Sequence, residues 1–251
     1  MSGRLDGTVA IVTGSSRGLG KAIAIGFAAE GADIIVNYRQ NEDCAHETVS
    51  AIRQLGRRAY AIRANVAERG DVKRLFIEVM DIYGRIDILV NNAGINKRSR
   101  FEEITDEDWD MIMDANLKGP FICCQEVFPY MIMNSGGRII NISSVASQYH
   151  GPKTVHYAVS KAGLNSLTKV LARYGAPHNI LVNAVAPGLI LTDQTRDEFE
   201  SGAAQQNIDL TLLKRPGVEQ DVVSACLSVA EAKQSYMTGQ VLAVSGGAFL
   251  G

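Results

Sequence analysis

The sequence has little excess charge of either sign and no long apolar run. Its formal net charge is −2 over 251 residues, and the basic residues are scattered. Nucleic acid is not expected as a partner, because binding a phosphate backbone needs a concentrated cationic surface. No apolar run approaches the length of a membrane span, and residues 1–7 lack the apolar core of a signal peptide. We therefore expect a cytoplasmic protein that does not bind membranes.

Metal-binding motifs are also missing. The four cysteines, at positions 44, 123, 124 and 226, show no paired spacing of the kind that holds zinc. Two adjacent cysteines in a helix cannot both point at one site. We expect reduced thiols that pack as small hydrophobic residues, and no metal site.

The chain contains no linker, internal repeat or low-complexity segment, so we expect one domain over residues 1–251. Short apolar runs alternate with stretches whose apolar residues recur at helical spacing. This order predicts an α/β fold of the Rossmann type, a doubly wound parallel sheet with helices on both faces and ligands at the carboxyl ends of the strands. The predicted strands are 8–12, 34–36, 59–62, 86–90, 139–142, 180–185 and 241–244, and a long helix is predicted over 109–132.

The segment 192–216 has the weakest pattern, polar and acidic in its first half. It has two interpretations that the sequence does not separate. One is a mobile lid over a substrate, and the other is a surface excursion.

A glycine-rich turn follows the first predicted strand and opens the first predicted helix. It reads Thr13-Gly14-Ser15-Ser16-Arg17-Gly18-Leu19-Gly20. At such a place the backbone can approach a pyrophosphate, whose charge the helix amino terminus stabilises. The spacing is TGxxxGxG and not GxGxxG.

This pattern resembles that of the short-chain dehydrogenases/reductases. Further matches follow in the family's order across nearly the whole chain: Asn91-Asn92-Ala93-Gly94, Asn116, Ser144, Tyr157 with Lys161, and Pro187-Gly188. The resemblance implies hydride transfer between nicotinamide and a small-molecule carbonyl or secondary alcohol. The implied cofactor contacts are Gly14, Ser16, Arg17, Gly18, Leu19, Gly20, Tyr38, Arg39, Asn65, Val66, Asn92, Ala93, Gly94, Tyr157, Lys161, Pro187, Gly188, Ile190 and Thr192.

Tyr157 and Lys161 are four residues apart in a helical pattern, so their side chains emerge on one face. Tyrosine titrates near about 10, and a neighbouring ammonium favours its phenolate. The resemblance makes Tyr157 the proton donor and acceptor and gives Lys161 a second role in holding the nicotinamide ribose. It also makes Ser144, rather than Ser143, the donor to the developing alkoxide. Asn116 resembles the asparagine that holds a water leading from the lysine to solvent.

Histidine offers a competing source of the proton. His150 and His156 flank the catalytic segment, and histidine can serve as an acid or a base. Tyr157 already has a charged partner, however, and neither histidine has triad or ligand spacing. His46 and His178 lie in surface-like segments.

The cofactor preference follows from charge near the adenosine ribose. An acidic residue after the second strand would bind the 2′-hydroxyl of NAD and repel a 2′-phosphate. Here the strand ends Asn37-Tyr38-Arg39, and Arg17 supplies a second cation. We expect NADP(H) to be favoured over NAD(H).

Two positions depart from the family pattern. Asn65 stands where aspartate is frequent, and Ser245-Gly246-Gly247 replaces aspartate-glycine-glycine. Neither position is catalytic. Asn65 can still bind adenine, whereas Ser245 lies in a segment that family members use for subunit contacts.

The overall resemblance is to 3-oxoacyl-acyl carrier protein reductases and to sugar and polyol dehydrogenases. Ser135 and His178 occupy positions where the carrier-protein reductases place arginines, which weakens the case for an acyl carrier protein, and nearby Arg138 and Arg173 do not settle it. Polar residues near the catalytic segment suit a hydroxylated substrate or a wet loop: Gln148, Tyr149, His150 and Lys153.

Two non-enzymatic classes are alternatives: a catalytically silent NADP-binding sensor or scaffold, and a purely structural subunit. The complete catalytic set argues against both. By the resemblance, the helix over 109–132 and the helix that carries Tyr157 form subunit interfaces of a homotetramer.

Overall fold

Seven parallel strands form the central sheet of the protein. In the computed structural model, residues 3–148, 154–192, 195–202 and 204–250 are described. The strands are β1 (Val9–Val12), β2 (Asp33–Tyr38), β3 (Ala59–Arg63), β4 (Ile88–Asn91), β5 (Gly137–Ile142), β6 (Ile180–Pro187) and β9 (Val241–Val244). A separate two-stranded ladder pairs β7 (Ile190–Leu191) with β8 (Gly217–Val218).

Helices connect the strands, as the alternating pattern predicts. They are α1 (Gly18–Ala29), α2 (Glu42–Gln54), α3 (Arg69–Tyr83), α4 (Asp106–Met113), α5 (Gly119–Met133), α6 (Val155–Gly175), α7 (Arg196–Glu200), α8 (Gln205–Leu210) and α9 (Glu219–Ala230). In the described part of the chain, no helix is both long and apolar enough to cross a membrane.

The strand order is β3-β2-β1-β4-β5-β6-β9, and every pairing is parallel. The chain moves outward from β1 to β3 and then crosses to the other side of β1, so the order reverses between β1 and β4. In open parallel sheets such a reversal leaves a crevice at the carboxyl ends of the two strands, where ligands bind. The Rossmann-type prediction is confirmed.

Both faces of the sheet are buried because successive strand residues point to opposite sides. On β2, Ile34 and Val36 pack into one apolar cluster with α1, α2 and α9. Ile35 packs into the other cluster, with α3 and α5. Phe27 on one face and Phe76 on the other are completely buried. Replacing either with alanine is expected to cost about 3–5 kcal/mol.

The long helix predicted over 109–132 is not one continuous α-helix. Residues Asp114–Lys118 form a π-helical turn between α4 and α5. One wide turn of this kind shifts the side chains that follow it and occurs frequently at functional sites. The sequence analysis placed Asn116 in an ordinary helix, whereas the structure places it in the wide turn.

The segment 192–216 contains helical structure that its weak pattern did not predict. Its described residues include α7 and α8. The segment is anchored at its two ends, where Thr195 Oγ1 donates to the Ile190 carbonyl (2.8 Å) and Leu213 N–H donates to the Gly246 carbonyl (3.0 Å). Its role as a lid stays a prediction.

Candidate active site

The glycine turn is held to β4 by side-chain hydrogen bonds. Thr13 Oγ1 accepts from the backbone N–H groups of Asn92 and Ala93, each at 3.0 Å. The Asn92 amide donates to the carbonyls of Thr13 (2.9 Å) and Gly14 (3.1 Å). The segment 91–94 therefore ties the glycine turn to the end of β4.

Glycine is required at two positions of this turn. Gly14 has φ +62°, and a Cβ there would lie 2.9 Å from the Cα of Ala93. A Cβ on Gly20 would lie 2.5 Å from the Asn92 amide nitrogen. The turn and β4 thus approach more closely than any side chain permits.

The amino terminus of α1 fits a dinucleotide phosphate. Arg17 caps the helix without a side-chain hydrogen bond, and the first turn contains no acidic residue. The first N–H groups of a helix have no partner within it and carry partial positive charge. Gly18 adds open space, because nothing lies within 4 Å of a Cβ built on it. Of the other predicted contacts here, Ser16 is buried and Leu19 is half-buried.

At the end of β2, the structure shows one residue that the sequence analysis missed. Asn37 is buried, and its Oδ1 accepts from Gly14 N–H at 3.1 Å. Its amide also donates to the Ala64 carbonyl at 3.1 Å. Asn37 therefore joins the glycine turn to β3. Only the pairing of β1, β2 and β3 brings these groups together, so no local pattern could have indicated the role.

Tyr38 and Arg39 occupy different surroundings. Tyr38 is buried, and burial together with a hydrogen bond to Glu42 raises its pKa. Its predicted contact with the cofactor stays a prediction. Arg39 is exposed and lines a cleft of about 820 Å³ that Asn65 also lines. Arg63, which the sequence analysis did not single out, donates from Nε to the Arg39 carbonyl at 3.1 Å.

Asn65 and Val66 follow β3. Asn65 N–H donates to the Asp71 carboxylate at 2.9 Å, and Asn65 Oδ1 accepts from Ala67 N–H at 3.2 Å. The residue also lines the cleft that Arg39 lines. Val66 is buried beside Gly119.

Lys161 is almost completely buried on α6, and its ammonium donates to the carbonyl oxygen of Ile142 at 2.7 Å. The ammonium nitrogen lies 5.7 Å from the centre of the Tyr157 ring. Burial lowers the pKa of Lys161 to about 8. Gly94 is close by, since a Cβ there would lie 3.5 Å from the lysine nitrogen. The structure thus brings Tyr157 and Lys161 together at the carboxyl end of β5.

Tyr157 behaves differently from the expectation based on its lysine neighbour. Burial raises its pKa, and a hydrogen bond from Ser144 lowers it by less. The Lys161 ammonium is bonded to a backbone carbonyl rather than to the phenol. Desolvation therefore dominates in this structure, and it favours the neutral phenol.

Ser144 begins the short 3₁₀ turn Val145–Ser147 after β5. Its Oγ accepts from Ala146 N–H at 3.1 Å, and its hydroxyl contacts Tyr157. Ser143 is buried instead, with a bond of 3.4 Å to the Lys161 carbonyl. This difference favours Ser144 as the functional serine.

Asn116 is buried and fully engaged through its amide. Its two donor bonds go to the Ile95 carbonyl (2.9 Å) and Ser160 Oγ (3.1 Å), and its Oδ1 accepts from Ile95 N–H (2.8 Å). The predicted water would have to be held by the remaining lone pair of Oδ1 or by backbone groups. Asn116 and Lys161 are neighbours of the same glycine, since a Cβ on Gly94 would lie 3.0 Å from Asn116 Oδ1 and 3.5 Å from the lysine nitrogen.

The turn after β6, which contains the predicted cofactor contact Gly188, is bonded to the last strand. Gly188 N–H donates to the Val244 carbonyl at 2.9 Å, and a Cβ on Gly188 would lie 2.9 Å from the Cα of Ser245. Pro187 and Ile190 are buried, and Thr192 is half-buried. Ser245 therefore packs directly against the glycine of this turn.

The histidines do not join the catalytic group. His156 is completely buried, and neither ring nitrogen has a hydrogen-bond partner within residues 3–148, 154–192, 195–202 and 204–250. Burial lowers its pKa. His150, with Tyr149 and Lys153, lies outside the described residues. His46 and His178 are exposed, as predicted.

The cysteines are free thiols, as expected. Cys123, Cys124 and Cys226 are completely buried, and burial raises the pKa of each. Cys124 Sγ accepts from the Asn91 amide at 3.3 Å. Within the described ranges, no three His, Cys, Asp or Glu side chains group as they would around a metal ion.

Comparison with known proteins agrees with this geometry. A family model described as short chain dehydrogenase matches residues 8–202. The chain is 40% identical over 241 residues to the 3-oxoacyl-[acyl-carrier-protein] reductase FabG of Staphylococcus epidermidis, covering 96% of this chain and 98% of the relative.

Solved structures show the same likeness. One, from Agrobacterium tumefaciens and provisionally assigned as a gluconate dehydrogenase, has a TM-score of 0.93 and 34% identity over 97% of this chain and 96% of that one. A 7 alpha-hydroxysteroid dehydrogenase complexed with NADH and 7-oxo glycochenodeoxycholic acid has a TM-score of 0.93 and 36% identity over 97% and 95%. The chain therefore belongs to the short-chain dehydrogenase/reductase family, whose members are oxidoreductases of carbonyl and CH–OH groups.

Proposed function

We propose that the protein is an NADP(H)-dependent reductase of 3-oxoacyl thioesters in which Tyr157 is the general acid. The observation that carries this proposal is the grouping of Ser144, Tyr157 and Lys161 at the carboxyl end of β5, beside the glycine turn. Bound NADPH would supply the hydride, and the side chains of this group would manage the proton and the charge.

Each side chain has a distinct task. Tyr157 holds a proton because burial raises its pKa, and it delivers that proton to the oxygen of the reduced carbonyl. Ser144 donates a hydrogen bond where negative charge develops on that oxygen. Lys161, held by the Ile142 carbonyl, places its ammonium where it favours release of the tyrosine proton.

The preference for NADP(H) is supported by unpaired cations. In the described part of the chain, the exposed guanidinium groups of Arg17 and Arg39 have no ion pair. The last residues of β2, Asn37 and Tyr38, carry no carboxylate that would repel a 2′-phosphate. The steroid dehydrogenase relative was solved with NADH. Likeness to that relative therefore does not decide the cofactor, and both cofactors are compared directly in the assay below.

The thioester substrate is supported by the reductase from S. epidermidis. Arg138 gives no support for docking of an acyl carrier protein. It lies in the first half of β5, at the opposite end of the strand from Ser144, and burial lowers its pKa. We therefore expect the thioester to be recognised without a large contribution from a carrier.

A sugar or polyol dehydrogenase is the second candidate. The A. tumefaciens structure favours it, and the exposed Gln148 near the catalytic turn is able to bind hydroxyl groups. A catalytically silent NADP-binding sensor is the non-enzymatic alternative.

One assay separates these functions. The oxidation of NADPH or NADH is followed by absorbance with acetoacetyl-coenzyme A and simple ketones, and the reverse reaction is followed with gluconate and polyols. We expect the highest kcat/KM with NADPH and the thioester. Turnover of gluconate or polyols alone would favour the second candidate. Cofactor binding without turnover of any substrate would favour the sensor.

A further inference from the structure

A buried asparagine continues the catalytic face of α6. Asn165 lies four residues after Lys161 and eight after Tyr157, so the three side chains emerge from one face of the helix. Its side chain is 8% exposed. Its amide donates to Ser147 Oγ at 2.8 Å, and Ser147 is itself buried.

Ser147 connects Asn165 to Ser144 through hydrogen bonds. Its hydroxyl donates to the Ser144 carbonyl at 2.6 Å, and its backbone N–H donates to the same oxygen at 3.0 Å. A serine hydroxyl rotates freely unless its lone pairs are engaged. The bond from Asn165 occupies one lone pair of Ser147 and so directs the hydroxyl hydrogen at Ser144.

The position of Ser144 decides where its own hydrogen points. Ser144 Oγ accepts from Ala146 N–H at 3.1 Å, which leaves its hydrogen available to Tyr157. A change in the 3₁₀ turn would move the Ser144 hydroxyl. The turn supplies the Ala146 N–H, which donates to Ser144 Oγ, and the two Ser147 groups that donate to the Ser144 carbonyl.

We propose that Asn165 and Ser147 are positioning residues that hold the Ser144 hydroxyl against Tyr157 and the reacting carbonyl. This inference rests on the proposed catalytic role of Ser144. Neither Asn165 nor Ser147 touches the reacting atoms, and each acts through the backbone of the serine turn.

The remaining polar atom of Asn165 argues for function rather than stability. Its Oδ1 is buried and has no hydrogen-bond partner among the residues that the structure describes. An unsatisfied buried oxygen is unfavourable, so a leucine of similar size should be tolerated or even stabilising. We therefore expect Asn165→Leu to fold, with a Tm no lower than that of the wild type, and still to lose activity.

The test measures Asn165→Leu and Ser147→Ala in the wild-type and Ser144→Ala backgrounds. In the wild-type background, each should lower kcat by about tenfold, the scale of one net hydrogen bond, and leave the Kd for NADPH unchanged. Each should also shift the ionisation seen in alcohol oxidation to higher pH, because Tyr157 loses an oriented donor. In the Ser144→Ala background, neither change should reduce kcat further or move the ionisation.

Asn183→Ala is the matched control. Asn183 is also buried and makes two hydrogen bonds, to the Met237 carbonyl (2.8 Å) and from Gln240 N–H (3.0 Å), but none to the serine turn. Its effect on Tm and kcat should be the same in both backgrounds, and the pH profile should not move.

Equal losses of kcat from Asn165→Leu in the two backgrounds, or an unchanged kcat and pH profile, would overturn the positioning role alone. A wild-type protein inactive with both nicotinamide cofactors would overturn the proposed function and this inference together.

Discussion

The Lys161 ammonium nitrogen lies 2.7 Å from the carbonyl oxygen of Ile142, the last residue of β5. This bond fixes the charge of α6 to the end of a central strand. The ammonium is buried as well, and desolvation lowers its pKa from 10.5 to about 8. The carbonyl therefore sets the position of the charge, and burial sets its energetic cost.

Lys161→Met should change how stability depends on pH. In the folded wild type the lysine pKa is lowered, so the unfolded chain binds more protons between about pH 8 and 10.5. The penalty for burying the charge is complete below pH 8 and disappears as pH rises toward 10.5. The free energy of unfolding of the wild type should thus gain on that of the variant by up to about 1.4 kcal/mol per pH unit in this window. Urea unfolding at several pH values measures it, and a constant difference between the two proteins would contradict the lowered pKa.

Tyr157→Phe should nearly abolish turnover and leave NADPH binding largely intact, because it removes one hydroxyl and keeps the ring. General acid catalysis contributes about 100-fold to 10,000-fold, and we expect a loss of at least that range in kcat. Steady-state kinetics and a fluorescence titration with NADPH provide the two readouts. Retention of most activity would require another proton donor, and His150 or His156 would be examined first.

Ser144→Ala should move the pH profile of alcohol oxidation upward. Oxidation needs the phenolate, so its rate rises with pH through the ionisation of Tyr157. The Ser144 hydroxyl lowers the pKa of Tyr157, and its removal leaves the opposing effect of burial alone. An apparent ionisation that stays in place or moves to lower pH would show that Ser144 does not donate to Tyr157.

Arg39→Asp should reverse the cofactor preference. It removes a cation that would meet the 2′-phosphate and adds an acceptor for the 2′-hydroxyl, so the Kd for NADPH rises while that for NADH falls. Arg173→Asp provides a control with the same change of charge. Arg173 is exposed, lies in the last turn of α6 and is not among the predicted cofactor contacts. If Arg173→Asp weakened NADPH binding as much, the effect would reflect net charge and not local recognition.

Assembly can be tested at the outer face of α5 and α6. A groove of about 550 Å³ there is lined mainly by apolar side chains, and Phe121 and Val170 on it are 42% and 60% exposed. We propose that this groove joins subunits of a homotetramer. Light scattering should give the tetramer mass for the wild type and a smaller mass for Val170→Asp, because a carboxylate would be buried at the contact. A monomeric wild type at low micromolar concentration would contradict this prediction.

Much of the architecture followed from local patterns. Apolar runs such as Ile34 to Val36 are buried on both faces, and strands of that kind can be predicted without knowing which strands they pair with. The spacing of Tyr157 and Lys161 predicted a shared helix face, and the structure brings the two side chains together.

The remaining features depend on contacts between distant segments. Asn37 contacts Gly14 and Asn165 contacts Ser147 only after the strands pair and α6 packs. The π turn around Asn116 interrupts a continuous helical pattern, so periodicity alone did not reveal it. The raised pKa of Tyr157 is set by burial, which no spacing of residues reports.

The pairing of β6 with β9 has a consequence for synthesis of the protein. Gly188, a predicted cofactor contact, is fixed through its bond to Val244, which is translated 153 residues after Asn91 at the end of β4. At about 5–20 residues per second, the ribosome needs roughly 8–30 s to make that stretch. During this interval the nascent chain can already display the glycine turn and β4, while the β6 side of the crevice lacks its neighbouring strand. On a growing chain, the predicted dinucleotide site is therefore complete only when β9 has left the ribosome and joined the sheet.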